Sequence, residues 1–284
     1  MTGDVRETTM RSPGLRNERG VALLIVLLVT ALLIALVFEF SYATRISLNS
    51  AVNFRDSQRA YFLARSGIYA FIKYGDKLRD FYIPQGEWGV VPMISSGDTE
   101  VRIKWEDETG KIKIADVKSD QVTQFMVRAL FENKRIDTDV YNKMTDQTSE
   151  INKLSLLSGL HQYMNDEDFN KVAASLTVSP VPSHTININT ASADVLQSLG
   201  ISTGAVGLIV QERQKNPFKD KTLIPGIGDV KIYDVLVSSY LTVVPSNTYT
   251  VYAYAKVGDY EKQIEAIVNV ANPLNPAFYY WRAL

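Results

Sequence analysis

The side chains that most often bind transition metals or act as nucleophiles are scarce here: two histidines and no cysteine in 284 residues. His161 and His184 stand in unrelated stretches and read as surface or cap residues rather than ligands. No G-x-S-x-G elbow, H-E-x-x-H pair or P-loop occurs, so no motif supports an enzyme and no catalytic residue is assigned. Oxygen donors do cluster, at Asp137, Asp139 and Asp146 and along Asn165-Asp166-Glu167-Asp168. Such groups can hold calcium. Their spacing does not follow the twelve-residue calcium loop, however, and Asp166 to Asp168 equally suit a helix N-terminus. No cofactor is expected; calcium stays open, with no assignable metal ligands. The remaining candidate is backbone chemistry. Pro225-Gly226-Ile227-Gly228, followed by a helix from Asp229, is a turn that can expose N–H groups to a phosphate.

Charge weighs against that last use. The chain carries 30 Lys+Arg against 31 Asp+Glu, a net charge of −1. Between Thr185 and Pro245, Arg213, Lys215, Lys219, Lys221 and Lys231 are matched by Asp194, Glu212, Asp220, Asp229 and Asp234. Affinity for a nucleic-acid backbone comes mainly from neutralised phosphates, and a neutral module supplies few. Asp229, directly after Gly228, would repel a phosphate at that helix start. The absence of Cys fits a thiol-free periplasmic protein as well as a cytosolic one.

The elements that would position these residues begin with a membrane segment. Val21 to Phe38 is an eighteen-residue run with no charge, about 27 Å long as a helix and close to the bilayer core. Arg6, Arg11, Arg16 and Arg19 precede it and predict a cytoplasmic N-terminus, with the bulk of the chain on the other side. The run ends in Phe38-Glu39-Phe40-Ser41-Tyr42, without the small-x-small site of an ordinary secretory signal. Gly20 instead sits at the junction of leader and apolar run. Beyond Phe38 the pattern becomes amphipathic, with Phe40, Ala43, Ile46, Phe54, Tyr61, Ala64, Ile68, Phe71 and Ile72 on one side and arginines on others. One helix from Val21 to Tyr74, with Gly75 as its stop, is expected, although a break near Ser41 is open.

Residues 76–98 read as loop. Thr99 to Trp105 alternates apolar and polar, as does Lys111 to Ala115, which predicts a hairpin around Glu106-Asp-Glu-Thr-Gly110. From Ser119 to about Leu241 the periodicity is helical, with helices expected at 119–133, 137–145, 149–163, 166–175, 191–199, 203–215 and 229–239. A second hairpin follows, Thr248 to Lys256 and Glu261 to Val270 around Gly258-Asp259. Both hairpins could share one antiparallel sheet packed on the long helix, with the helical block inserted between them.

Arg19-Gly20-Val21-Ala22-Leu23-Leu24 resembles the class III leader of type IV pilins and pseudopilins. That resemblance implies a cut between Gly20 and Val21 by prepilin peptidase and N-methylation of Val21. A plain uncleaved signal anchor is the alternative. Most members carry Glu at the fifth mature position. Ile25 stands there, and lack of this Glu is typical of the K-type minor pseudopilin of type II secretion systems. The Asp107-Glu-Thr-Gly-Lys-Ile segment, the large helical insertion and the aromatic ending Tyr279-Tyr280-Trp281-Arg282 resemble the same family.

The fold class implied is α+β and pilin-like: a long transmembrane helix on an antiparallel sheet, with an inserted helical domain. The divisions are a leader (1–20), a membrane segment (21–40), an amphipathic helix (41–75), first core strands (76–118), insertion (119–241) and last core strands with tail (242–284). The role implied is capping the tip of a periplasmic pseudopilus from the bacterial inner membrane, in support of protein export. I- and J-type minor pseudopilins are the implied partners, with secreted proteins or the secretin as further ones. Ile186 to Gly228 also resembles helix–hairpin–helix modules, which makes a membrane-anchored DNA-binding protein of competence type the alternative. In K-type pseudopilins the same motif lies within the insertion.

Overall fold

The computed structural model describes residues 18–77, 85–146, 157–181, 185–220 and 239–284, and the chain divides into two units, residues 1–56 and 57–284. Helix α1 is a single helix, Glu18–Lys77, with no break near Ser41 and an end just past Gly75. In the first unit its apolar side chains are exposed, from Val21 to Phe38 and on through Phe40 to Phe54. Water does not tolerate such a surface at that length; lipid or partner helices do. By length and composition this helix can cross a membrane.

In the second unit the last turns of α1 pack on a five-stranded antiparallel sheet, ordered β1-β2-β7-β8-β9. The strands are β1 (Gly89–Val90), β2 (Thr99–Asp107), β7 (Thr248–Val257), β8 (Tyr260–Asn269) and β9 (Ala277–Ala283). The period-two alternation decides which side chains meet the helix. Val101, Ile103 and Trp105 of β2, Tyr249, Val251, Ala253 and Ala255 of β7, and Ile264, Ala266 and Val268 of β8 form one core with Ala64, Ile68, Phe71 and Ile72. Phe71, Trp105 and Tyr249 make mutual ring contacts with centroids 5.5–6.2 Å apart. Small residues set how closely α1 approaches. A Cβ on Gly67 would lie 3.1 Å from Ala253 Cβ and 3.2 Å from Val101 Cγ1.

The second hairpin forms as the sequence indicates, β7 against β8 with Gly258 at φ 57° in the turn. The first hairpin does not. β2 pairs with β7 along all nine of its residues and with β1 on its other edge, so both edges are occupied before the chain reaches Lys111. Glu108–Gly110 makes a buried 3-10 turn rather than an exposed loop. β3 (Ile112–Lys113) then pairs in parallel with β4 (Leu176–Thr177), and Ile112 and Ile114 enter a different core. The aromatic tail, expected only as a tail, is the edge strand β9, with a bulge opposite Ile267/Val268. Residues 89–90, expected as loop, form the opposite edge strand.

The inserted block has its own core, with Leu130, Phe131, Met144, Leu160, Val172, Leu196 and Ile209 among its buried residues. Its helices are α2 (Gln121–Asn133), α3 (Thr138–Asp146), α4 (Asp166–Val172), α5 (Ala193–Ser198) and α6 (Thr203–Lys215). Each start follows a capping side chain where one is recorded: Asp120, Asn165, Ser192 and Ser202 accept from the Thr123, Asp168, Val195 and Ala205 N–H groups. Residues 157–162 and 173–175 are 3-10 turns where helix was expected. The expected helices at 149–156 and 229–238 lie outside the described residues. β5 (Ile186–Asn187) and β6 (Leu241–Thr242) pair in parallel and close the block beside the sheet.

Replacing Gly67 with Leu forces extra methylenes between α1 and β7. Thermal unfolding of the detergent-solubilised chain is expected to show a loss of about 1–3 kcal/mol, the usual cost of overpacking.

Candidate functional site

Gly20, Val21 and Ile25 lie on the exposed first unit of α1, with Ile25 57% exposed. A Cβ on Gly20 would meet nothing within 4 Å among the described residues, so no packing inside the chain asks for glycine there. Ile25 likewise has no core to fill. Pro225, Gly226, Ile227 and Gly228 lie outside the described residues, as does His184.

The first helix–hairpin–helix turn is described. Leu199 to Ser202 joins α5 to α6, with Gly200 at φ 86°. Arg213, on α6, faces inward: its Nη1 donates to the carbonyls of Ile188 and Ala191, each at 2.7 Å. Burial lowers its pKa from the ordinary arginine value. Lys215 is held by Glu212 at 3.2 Å. Two of the five cations counted in this region are therefore engaged within the chain, one of them holding the loop that starts α5.

The acidic clusters are also engaged in local structure. Asn165 caps α4, and Lys171 bridges Glu167 and Asp168, both at 2.9 Å. His161 Nδ1 lies 3.0 Å from Asp166, and its ring packs on Phe169. Asp137 accepts from the Asp139 N–H. Among the described residues no three His, Cys, Asp or Glu side chains are grouped to hold a metal.

The densest polar chemistry sits where β2 hands the chain to the insertion, a place the sequence reading took for a surface turn. Glu108 is buried and accepts from the hydroxyls of Thr177, Ser179 and Thr250 and from the Lys111 ammonium. Lys111 Nζ also lies 3.0 Å from Glu106, which Lys104 holds at 2.9 Å. Burial alone would raise both carboxyls, but Lys111 and the surrounding donors outweigh it and hold Glu106 and Glu108 below the usual carboxylate range. Burial would lower Lys111, yet the two carboxylates carry it above its ordinary value. Asp107, also buried, accepts from the hydroxyls of Thr109 and Thr190 and the Asn187 amide. The signal for this junction was the run Glu106-Asp-Glu followed by Lys111; only contacts with residues 69–142 positions away reveal its use.

Beside the junction a cleft of about 430 Å³ opens between the other face of the sheet and the α4 side of the insertion. Glu106, Thr250, Tyr252, Glu265, Tyr280 and Arg282 line it from the sheet, and Phe169, Ala174, Leu176 and Ser179 from the insertion.

These features define an α+β pilin-like fold: one long, membrane-compatible N-terminal helix on an antiparallel sheet that carries an inserted helical domain. No protein-family model and no curated protein matches the sequence. Among solved structures, a chain of the GspK-GspI-GspJ complex from the type 2 secretion system of enterotoxigenic Escherichia coli shares the fold. The TM-score is 0.61 at 13% identity, over 83% of this chain and 99% of that one. At that identity the likeness is one of fold.

Substituting Lys111 by Met leaves the buried Glu108 carboxylate without its cation, while Glu106 keeps Lys104. A loss of about 3–5 kcal/mol in unfolding free energy is expected, the cost of breaking a buried pair. Because Glu106 and Glu108 sit below their ordinary pKa when folded, their contribution is present above the usual carboxylate range and lost as pH falls through the folded values. Acid unfolding should therefore begin at lower pH in the unmodified chain than in Thr250→Val, which removes one donor to Glu108.

Proposed function

We propose that the chain is a K-type minor pseudopilin of a type II secretion system, seated at the tip of a periplasmic pseudopilus. The observation that carries this reading is the fold shared with a chain of the GspK-GspI-GspJ complex over 99% of that chain's length. The likeness covers 83% of this chain, so it takes in residues of the inserted block as well as the core.

Two further observations support it. Gly20 has no packing reason to be glycine, which fits a residue selected by a leader peptidase. Ile25 occupies the position where the filament subunits of this family carry Glu. A subunit joining beneath another uses that Glu toward the upper neighbour's N-terminal amine, and a tip subunit has no upper neighbour. The arginines of the leader and the uncharged run behind them favour an inner-membrane anchor with the head in the periplasm. The partners are then I- and J-type minor pseudopilins, reached through the exposed apolar side of α1, with prepilin peptidase acting first. The role is structural, in support of protein export across the outer membrane.

Mass spectrometry of the mature protein from membranes tests the class: the expected N-terminus is N-methylated Val21. An intact Met1, or a cut beyond Phe38, would falsify it. Placement is tested by Ile25→Glu and by co-purification. The unmodified chain is expected to carry I- and J-type subunits with it and to be absent from the shaft, and Ile25→Glu to recover incorporation into the shaft. Secretion undiminished after deletion of the chain would remove the tip assignment.

A further inference from the structure

The cleft on the open face of the sheet has a use that the junction beside it does not exhaust. Its volume, about 430 Å³, lies in the range of sites that hold small groups, roughly 300–1,000 Å³. Most of its polar lining is already committed. Glu108 takes up three hydroxyls and the Lys111 ammonium. Lys111 is divided between Glu106 and Glu108, and Lys104, from outside the cleft, completes Glu106.

Glu265 is different. It lies mid-strand on β8, directly across from Tyr252 on one side and Arg282 on the other. Tyr252 and Arg282 both favour its charged form, and Arg282 makes no ion pair with it among the described residues. Burial outweighs both and pushes the Glu265 carboxyl above its ordinary value, as burial and nearby carboxylates push Tyr252 up. Three carboxylates, Glu106, Glu108 and Glu265, thus line the cleft with two cations, Lys111 and Arg282, and Glu265 is the one with no ammonium bound to it. The lining of the cleft is mixed, with apolar surface from Ile267 on the sheet and from Phe169, Ala173, Ala174 and Leu176 on the insertion.

We propose that this cleft is a socket for one lysine side chain of a polypeptide partner, with Glu265 as its counter-charge and the Phe169–Leu176 wall as the surface for its methylene stem. A half-buried carboxylate in a cleft that also offers apolar surface matches a compact ammonium on a four-carbon stem. This inference does not depend on the secretion role: the socket would stand if the chain served another machine.

The test uses the full chain in detergent micelles, titrated with Nα-acetyl-lysine methylamide and followed by intrinsic tyrosine and tryptophan fluorescence. Saturable binding is expected, with about tenfold or greater weakening in Glu265→Gln, the loss of one charge-assisted bond. Glu265→Gln removes a charge that burial disfavours, so its thermal midpoint should not fall, which separates lost binding from lost fold. Arg282→Ala is expected to tighten binding by removing a competing cation. The Nε-acetylated probe, which has the stem without the charge, should not bind. Equal binding of that neutral probe, equal binding to Glu265→Gln, or no saturation with either probe would overturn the proposal.

Discussion

Lys111 has only 13% of its side chain exposed and stands between two carboxylates. Taking three charges out of water is costly, and the mutual attraction offsets that cost only if every remaining donor and acceptor is matched. Here the matching donors come from two separate parts of the chain: Thr250 on β7, and Thr177 and Ser179 at the end of β4 and just beyond it. The ion pair can therefore be satisfied only when the insertion is closed onto the sheet. The neighbouring Asp107 works in the same sense, through Thr190 and Asn187. Gly110 completes the junction, since a Cβ there would lie 2.9 Å from the Thr190 backbone. Two hydrophobic cores that share no buried residue are thereby joined by a polar seam.

That arrangement explains how a pilin-like core accepts an insertion without losing its sheet. β2 and β7 are far apart in sequence yet pair along nine residues. The chain leaves the sheet at Asp107 and returns at Thr248, and the parallel pair of Ile186–Asn187 with Leu241–Thr242 ties the end of the block to its middle. The junction is where the excursion begins, so the residues that fix the insertion also terminate the strand. The cleft lies between the same two parts: sheet residues including Glu106 and Glu265 line one side of it and insertion residues including Phe169 and Leu176 the other.

Two faces of the molecule remain unsatisfied by the chain itself. One is the apolar length of α1 in the first unit, where side chains from Val21 to Phe54 are exposed. Among the described residues none buries them, and by length and composition the helix can cross a membrane. The other is Glu265, a carboxyl held partly out of water with no ammonium bound to it among the described residues. The first is large and non-directional; the second is small and specific.

Much of this was legible from residue order alone. The uncharged run after Gly20 specified a membrane-compatible helix, because a bilayer tests only length and polarity. The alternation from Thr248 to Val270 specified a hairpin, because its pairing partner is adjacent and its Gly258-Asp259 turn is local. The caps at Asp120, Asn165, Ser192 and Ser202 set helix starts for the same local reason. The Lys111–Ala115 strand was misjudged because its alternation states only that two apolar residues share a face, not which core that face meets. β7 outcompeted it for β2 with nine paired residues instead of a few, a decision made across more than a hundred positions. The burial of Glu106, Glu108 and Lys111 was equally invisible: a charged run reads as a solvated turn until hydroxyls from distant segments surround it. Sequence determined the elements whose energetics are local; tertiary structure decided which strand edges were free and which charges left water, because both depend on partners brought together only by folding.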